Sequence, residues 1–432
     1  MTSKQYKHTE IGEIPKDWEV RPFGELGYLK NGVNFNRSQF GNGYKVINVT
    51  NLFSGRFATI DQLNEIIKDA VPNSKEYFVR QGDLLFARSS IKTSGTGQVA
   101  LVKENYEDTV FSGFIIRFRP NDGVNTLFLN YLLRSSNYRQ YFVSNSSTTT
   151  ITNLNQPFLS SMPIIFPPID EQNRIADFIS VLDDKIELNR RMNKTLEEIG
   201  KALFKRWFVD FEFPNDDGKP YKSNGVEIVD IPAGSAGQEF EEIPKEWKIK
   251  PLDVIATFFN GVACQKYPPV DESGLPVIKI AELHNGITEN SDRASSLIAP
   301  EYIVENGDVI FSWSGSLEVV LWTGGKGILN QHLFKVSSEN YPKWFYYFWT
   351  LKYLPMFREI ASDKATTMGH IQRRHLSESL VLVPTAPILE KMNGEMTPLL
   401  SKIIANSIEI NFLVQIRDSL LPRLMSGKLR LN

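Results

Sequence analysis

The sequence IPKDWEVRPF, Ile14 to Phe23, returns as IPKEWKIKPL from Ile243 to Leu252. The NGV at Asn31 to Val33 likewise returns at Asn260 to Val262, so both matches share an offset of 229. Further along, FVRQGDLLFARSS from Phe78 is echoed by IVENGDVIFSWSG from Ile303, and MPIIFPP from Met162 by SLVLVPT from Ser379, by then at an offset of 217. Repeats of solenoids run roughly 20–50 residues, far shorter than this period. The pattern is that of one module duplicated within one chain of 432 residues, each copy long enough to bury its own core.

Within the first copy, residues 20–165 carry short β-rich runs such as YKVINV from Tyr44 and GFIIRFR from Gly113, separated by Gly, Asn and Ser turns. One stretch of helical spacing, from Thr126, interrupts them, so each copy is expected to be an α+β domain with a mixed β-sheet and helices. After Pro167-Pro168 the texture changes, with no proline before Pro214 and Gly200 as the only glycine. Ile175, Ile179, Leu182, Ile186, Asn189, Asn193, Leu196, Gly200, Leu203 and Trp207 then alternate steps of four and three, the 3.5-residue period of a coiled-coil seam. The second copy repeats the seam from Met392 to Leu424, with Asn406 at the position of Asn189 and with Pro422 expected to stop or kink the helix. Two long helices in one chain, each with an apolar seam, are expected to pair antiparallel. Asn189 and Asn406 are expected to meet and fix the register of that pair.

The expected order is a first domain over 1–168, a long helix over 169–212, a connector over 213–238 rich in Gly, Pro, Asp and Ser, a second domain over 239–385, and a second long helix over 386–432. No run of about 18 apolar residues and no charged-then-apolar leader stands out, so a soluble cytoplasmic protein without membrane association is expected. Cys264, the single cysteine, excludes an internal disulfide and suits a reducing compartment.

Enzymatic constellations are missing. The chain has no GxxxxGK[ST] loop and no HExxH, and its five histidines are scattered without ligand spacing. The motif of an amino-methyltransferase, a polar residue before Pro-Pro and an aromatic, has only FPPID from Phe166 and YPPVD from Tyr267 as distant approximations. No catalytic, cofactor-binding or metal-ligating residue is therefore assigned.

Polar and basic loops do recur at corresponding points of the two copies. ARSSIKTSGT follows the strand after Gly82-Asp83, and SWSGS with Trp313 follows the strand after Gly307-Asp308. Later come NSSTTTITNLN from Asn145 and SDKATTMGHIQRRH from Ser362. Hydroxyl and amide groups bind phosphate oxygens, and Arg and Asn read base edges bidentately. The candidate DNA-contacting residues are Arg88, Lys92, Thr149, Asn153, Lys364, Thr367, His370 and Arg373. Net charge argues for a local surface, since the formal value is −2 and residues 1–212 hold 26 Lys and Arg against 24 Asp and Glu.

Taken in order, these motifs resemble the specificity (S) subunit of type I restriction-modification systems over almost the whole chain. The resemblance is carried by the two IPK-W openers, the NGV turns, the GD strands, the TTTITNL and ATTMGHI loops, the PP-I-EQ-R-I run from Pro167 through Glu171, Gln172, Arg174 and Ile175, and LLPRLMSGKL from Leu420. The second long helix departs from it, with Glu390, Lys391 and Met392 where the first has the EQ-R-I residues. The resemblance implies two target-recognition domains separated by two antiparallel helices, with an internal pseudo-two-fold repeat. It also implies a non-catalytic subunit that recognises a bipartite, asymmetric double-stranded DNA sequence, one half-site per domain. Two methyltransferase subunits using S-adenosylmethionine to methylate adenine would dock on it, as would restriction subunits using ATP and magnesium where present. A degenerate methyltransferase or nuclease, and a duplicated protein scaffold that ignores DNA, are the rival expectations.

Overall fold

The computed structural model describes residues 6–53, 55–90, 95, 97–144, 152–215, 218–224, 227–230, 240, 242–270, 274–362 and 369–431. The chain forms two compact units, Met1–Asp184 together with Val414–Asn432, and Lys185–Leu413. Both are mixtures of strands and helices, in keeping with an α+β class.

The duplication is visible strand by strand. In the first unit a four-stranded antiparallel sheet has the order Gly27–Asn31, Ile115–Pro120, Leu84–Ala87, Val99–Leu101. In the second unit the order Thr257–Asn260, Leu333–Ser337, Val309–Ser312, Val319–Leu321 repeats it. A second sheet is also shared. Gly43–Ile47 pairs parallel with Thr109–Phe111 and antiparallel with Asn64–Ile67, and Leu275–Ile278 does the same with Gly327–Leu329 and Arg293–Ala294. Apolar strands such as Leu84–Ala87 and Val309–Ser312 are buried on both faces, as a sheet covered on both sides requires.

The GD turns match as well. Gly82 and Gly307 have φ of +87° and +91°, values that glycine adopts without strain. The carboxylates of Asp83 and Asp308 close the turns by accepting from the Arg80 and Glu305 amides at 2.7 and 2.9 Å.

The two long helices span Ile169–Phe208 and Ala386–Met425. The second runs through Pro398 and three residues past Pro422, so neither proline ends it. Its composition and length are those of a helix that could cross a membrane, with an 18-residue window of mean hydropathy 1.3. Part of the helix's apolar surface lies in the seam: Met392, Met396, Leu399 and Ile403 are buried, and Met392, Met396 and Leu400 join the core of the second unit.

Both helices contribute to both units, and in the second unit they run antiparallel. There Asn406 Nδ2 donates to Asn193 Oδ1 at 2.9 Å, and Asn193 Nδ2 donates to Ser407 Oγ at 2.8 Å. The expected Asn189–Asn406 pair is therefore replaced by an Asn193–Asn406 pair. Asn189 instead donates to Glu409 Oε2 at 2.8 Å, which, ahead of Lys185, holds that carboxyl below the usual carboxylate range. The sequence has Asn at both 189 and 193, and the helices face one another one turn later than the reading through Asn189 implied.

Among the described residues, parts of the connector are ordered against the second copy. Ile228–Asp230 pairs antiparallel with Glu242–Pro244, as Tyr6–Thr9 pairs with Gly12–Pro15, so the second copy opens on the same hairpin as the first. Phe213 is fully buried and stacks on Trp247 at 4.9 Å between ring centroids. An aromatic placed in a Gly/Pro-rich stretch has found the tryptophan of its own opener.

In the first unit, Trp18 of the opener donates to the buried Glu171 at 2.8 Å, and Arg430 from the chain's C-terminal end bridges Glu171 and Asp17. In the second unit, which lacks the EQ pair, the Trp247 indole N–H has no hydrogen-bond partner among the described residues. Arg430→Ala should cost the first unit about 1–3 kcal/mol by leaving Glu171 underpaired, read as a shift in denaturant midpoint. The Arg430 guanidinium also holds the Asp17 carboxyl below its ordinary range. That stabilisation is complete above the ordinary range and lost as pH falls through the lowered value, so the difference between wild type and variant should narrow in acid.

Candidate nucleic-acid interface

Each unit presents four segments at one place. The first is the NGV turn. Gly32 donates to the Ile115 carbonyl at 3.1 Å and Val33 to that of Phe111 at 2.9 Å, while Gly261 and Val262 donate to Leu333 and Leu329, both at 3.0 Å. The glycine is dictated by contact, since a Cβ on Gly32 would lie 2.2 Å from the Ser112 carbonyl oxygen and one on Gly261 2.1 Å from that of Asn330.

Beside it lies a tight β-turn. Ile115 N donates to Ser112 O at 2.9 Å, closing a turn with Gly113 and Phe114 at its tip, and Leu333 N donates to Asn330 O at 3.0 Å, putting Gln331 and His332 at the tip.

The third segment starts at the residue after the buried strand, Arg88 in one unit and Trp313 in the other. Arg88 N donates to the Phe114 carbonyl at 2.9 Å, and Trp313 N to the His332 carbonyl at 3.4 Å. The fourth precedes a short helix. Leu154 N donates to Arg88 O at 2.8 Å, and Ile371 N to Trp313 O at 3.0 Å. Ser89–Ser90 pairs antiparallel with Thr152–Asn153, while Ser314 bridges His370. The two polar loops read separately in each copy are thus held side by side by backbone hydrogen bonds.

The side chains differ between the copies. Arg88 reaches the Gly113 carbonyl at 3.4 Å. At the equivalent place the Trp313 ring lies 5.9 Å from His332 and 6.3 Å from His370, and its Nε1 donates to Asn260 of the NGV turn at 3.0 Å. Ser314 Oγ sits 3.0 Å from His332 Nδ1. Arg373 packs over Phe334 at 5.5 Å and donates to the Phe258 carbonyl at 3.2 Å, which anchors its guanidinium at the edge of the platform.

Of the candidate residues, Arg88, His370 and Arg373 lie on these platforms and Asn153 contributes its backbone to one. Lys92, Thr149, Lys364 and Thr367 lie outside the described residues. The residues at the turn tips, Phe114, Gln331 and His332, were not singled out from sequence. Aligning GFIIRFR from Gly113 with QHLFKVS from Gln331 within the duplication would have found them. Among the described residues, no group of three or more His, Cys, Asp or Glu side chains is gathered as a metal site would require. Cys264 is buried, and burial pushes its thiol pKa up.

Comparison with known proteins accounts for this arrangement. The family model of the type I restriction modification DNA specificity domain matches twice, at residues 15–198 and 244–412. The chain is 28% identical to the type I restriction enzyme MjaIX specificity subunit of Methanocaldococcus jannaschii, over 99% of this chain and 96% of that one. It is 25% identical to the HindI specificity subunit of Haemophilus influenzae, over 96% and 100% of the two chains. Its fold is similar to the crystal structure of the type I restriction-modification S subunit from M. genitalium, with a TM-score of 0.57 at 15% identity over 94% and 96% of the chains. The chain belongs to the type I restriction modification DNA specificity family, as a DNA-recognition subunit and not an enzyme.

Proposed function

We propose that each unit reads one half of a bipartite, asymmetric double-stranded DNA sequence, and that the long helices set the number of unread base pairs between the halves. The observation that carries this reading is the same four-segment platform built twice with unlike side chains, Arg88 and Phe114 in one copy, Trp313 and His332 in the other. Identical platforms would read identical half-sites; unlike ones make the target asymmetric.

Two methyltransferase subunits would dock on the long helices and supply S-adenosylmethionine-dependent adenine methylation. Restriction subunits, where a system has them, would add ATP- and magnesium-dependent cleavage. The helices expose Val181, Leu188, Ile199 and Phe412, and apolar groups on an exposed helix face suit a protein partner. The near-neutral chain would then share the phosphate contacts with its partners, in the cytoplasm. The protein is expected to need no cofactor of its own.

The test is co-expression with a partner methyltransferase subunit in a methylation-free host, with residues 239–380 replaced by the corresponding region of a relative. One half of the methylated motif should change and the other persist. A motif altered in both halves would overturn the assignment of one half-site to each unit, and an unaltered motif would favour a scaffold that leaves DNA reading to its partners.

A further inference from the structure

We infer that the paired positions 88/114 and 313/332 are specificity-determining reading heads, in which Phe114 makes an apolar or stacking contact to a base and His332 takes the equivalent place in the other half-site. The inference rests on the DNA-reading function proposed above and names the residues that discriminate bases.

Phe114 sits at the tip of a turn closed by the Ile115–Ser112 hydrogen bond and is 63% exposed, which leaves its ring open to a base or another partner. The main chain on either side of it is held in place. Gly113 is pinned by its N–H to the Val33 carbonyl at 2.7 Å, and the Phe114 carbonyl is held by the Arg88 amide at 2.9 Å. The ring therefore projects from a rigid support next to a guanidinium, whose Nη1 lies 3.4 Å from the Gly113 carbonyl.

In the second copy the same two backbone positions carry Trp313 and His332, so a basic and an aromatic side chain in one copy become an aromatic and an imidazole in the other. There Trp313 Nε1 is occupied by Asn260, and His332 shares a hydrogen bond with Ser314, so that head too is preorganised. Aromatic rings stack on bases or touch thymine methyls, and Arg and His offer hydrogen-bond donors to base edges. The support is the same and the chemistry is not, as expected for the part of a duplicated reader that sets different targets.

The experiment is a methylation map of the assembled complex carrying Phe114→Ala, and separately His332→Ala, beside the wild type. Phe114→Ala should reduce discrimination at one position of one half-site by about 10-fold or more, leaving the other half intact; His332→Ala should act only in the other half. Phe114→Leu, which keeps apolar bulk, should retain part of the preference, and thermal melting checks that these surface changes leave the fold intact. A Phe114→Ala map with an unchanged motif, or with weaker methylation and unchanged preference at every position, would overturn the inference. Failure of the wild-type complex to methylate a bipartite motif would instead refute the underlying DNA-reading assignment.

Discussion

Gly32→Ala is expected to destabilise the protein by about 3 kcal/mol or more, at the upper end of what overpacking costs. The added methyl would meet the Ser112 carbonyl oxygen at 2.2 Å and that of Phe111 at 2.4 Å. Both are main-chain atoms in a turn that is itself hydrogen-bonded, so no side chain can swing aside to make room. The mirror substitution, Gly261→Ala, meets Asn330 O at 2.1 Å and Leu329 O at 2.5 Å and should cost a similar amount. Against a typical stability of about 5–15 kcal/mol, either change should move the denaturant midpoint markedly. Gly394→Ala is the control. It lies within the second long helix with nothing within 4 Å of the new Cβ, and should be neutral or stabilising by about 0.5–1 kcal/mol. Equal effects for Gly32 and Gly394 would mean that the NGV turns are not the tight junctions described.

Deleting residues 186–192 and 407–413 together should shorten the proposed spacer without altering either half-site. These segments face one another in the antiparallel pair, so their joint removal keeps Asn193 opposite Asn406. Seven residues of helix are about 10 Å long, and at about 3.4 Å per base pair the gap between half-sites should contract by about three base pairs. Seven residues are also one period of the seam, so the apolar positions on either side of each junction stay in phase. The measurement is the methylated motif of the deletion variant in complex with its partner subunits. An unchanged gap, with both half-sites still recognised, would show that something other than the helices sets the distance.

Much of this was legible in the residues, and the reasons are physical. Duplication shows in sequence because each copy must rebuild the same contacts: Gly32 and Gly261 where carbonyls crowd, Gly82 and Gly307 where φ is positive, Trp18 and Trp247 under the opener. The long helices show because a seam of apolar residues has a period that no strand shares. Register was not legible, because Asn189 and Asn193 sit one turn apart and only the packing partner chooses between them. The hairpin at Ile228–Asp230 was hidden by the Gly- and Pro-rich residues around it, since composition reports local propensity and not the strand that a segment will meet. Phe114 was hidden for the opposite reason: it heads the β-rich run GFIIRFR, where an aromatic reads as one more core residue. Its exposure follows from the turn closed by Ser112 and Ile115, which only the fold brings into view.

The most direct test of the central claim is a genome-wide adenine-methylation map of a methylation-free host expressing the intact chain with its methyltransferase partner. The account predicts one motif made of two unlike halves separated by a fixed number of unspecified base pairs. A stable complex that methylates a contiguous or symmetric motif, or none, would contradict it.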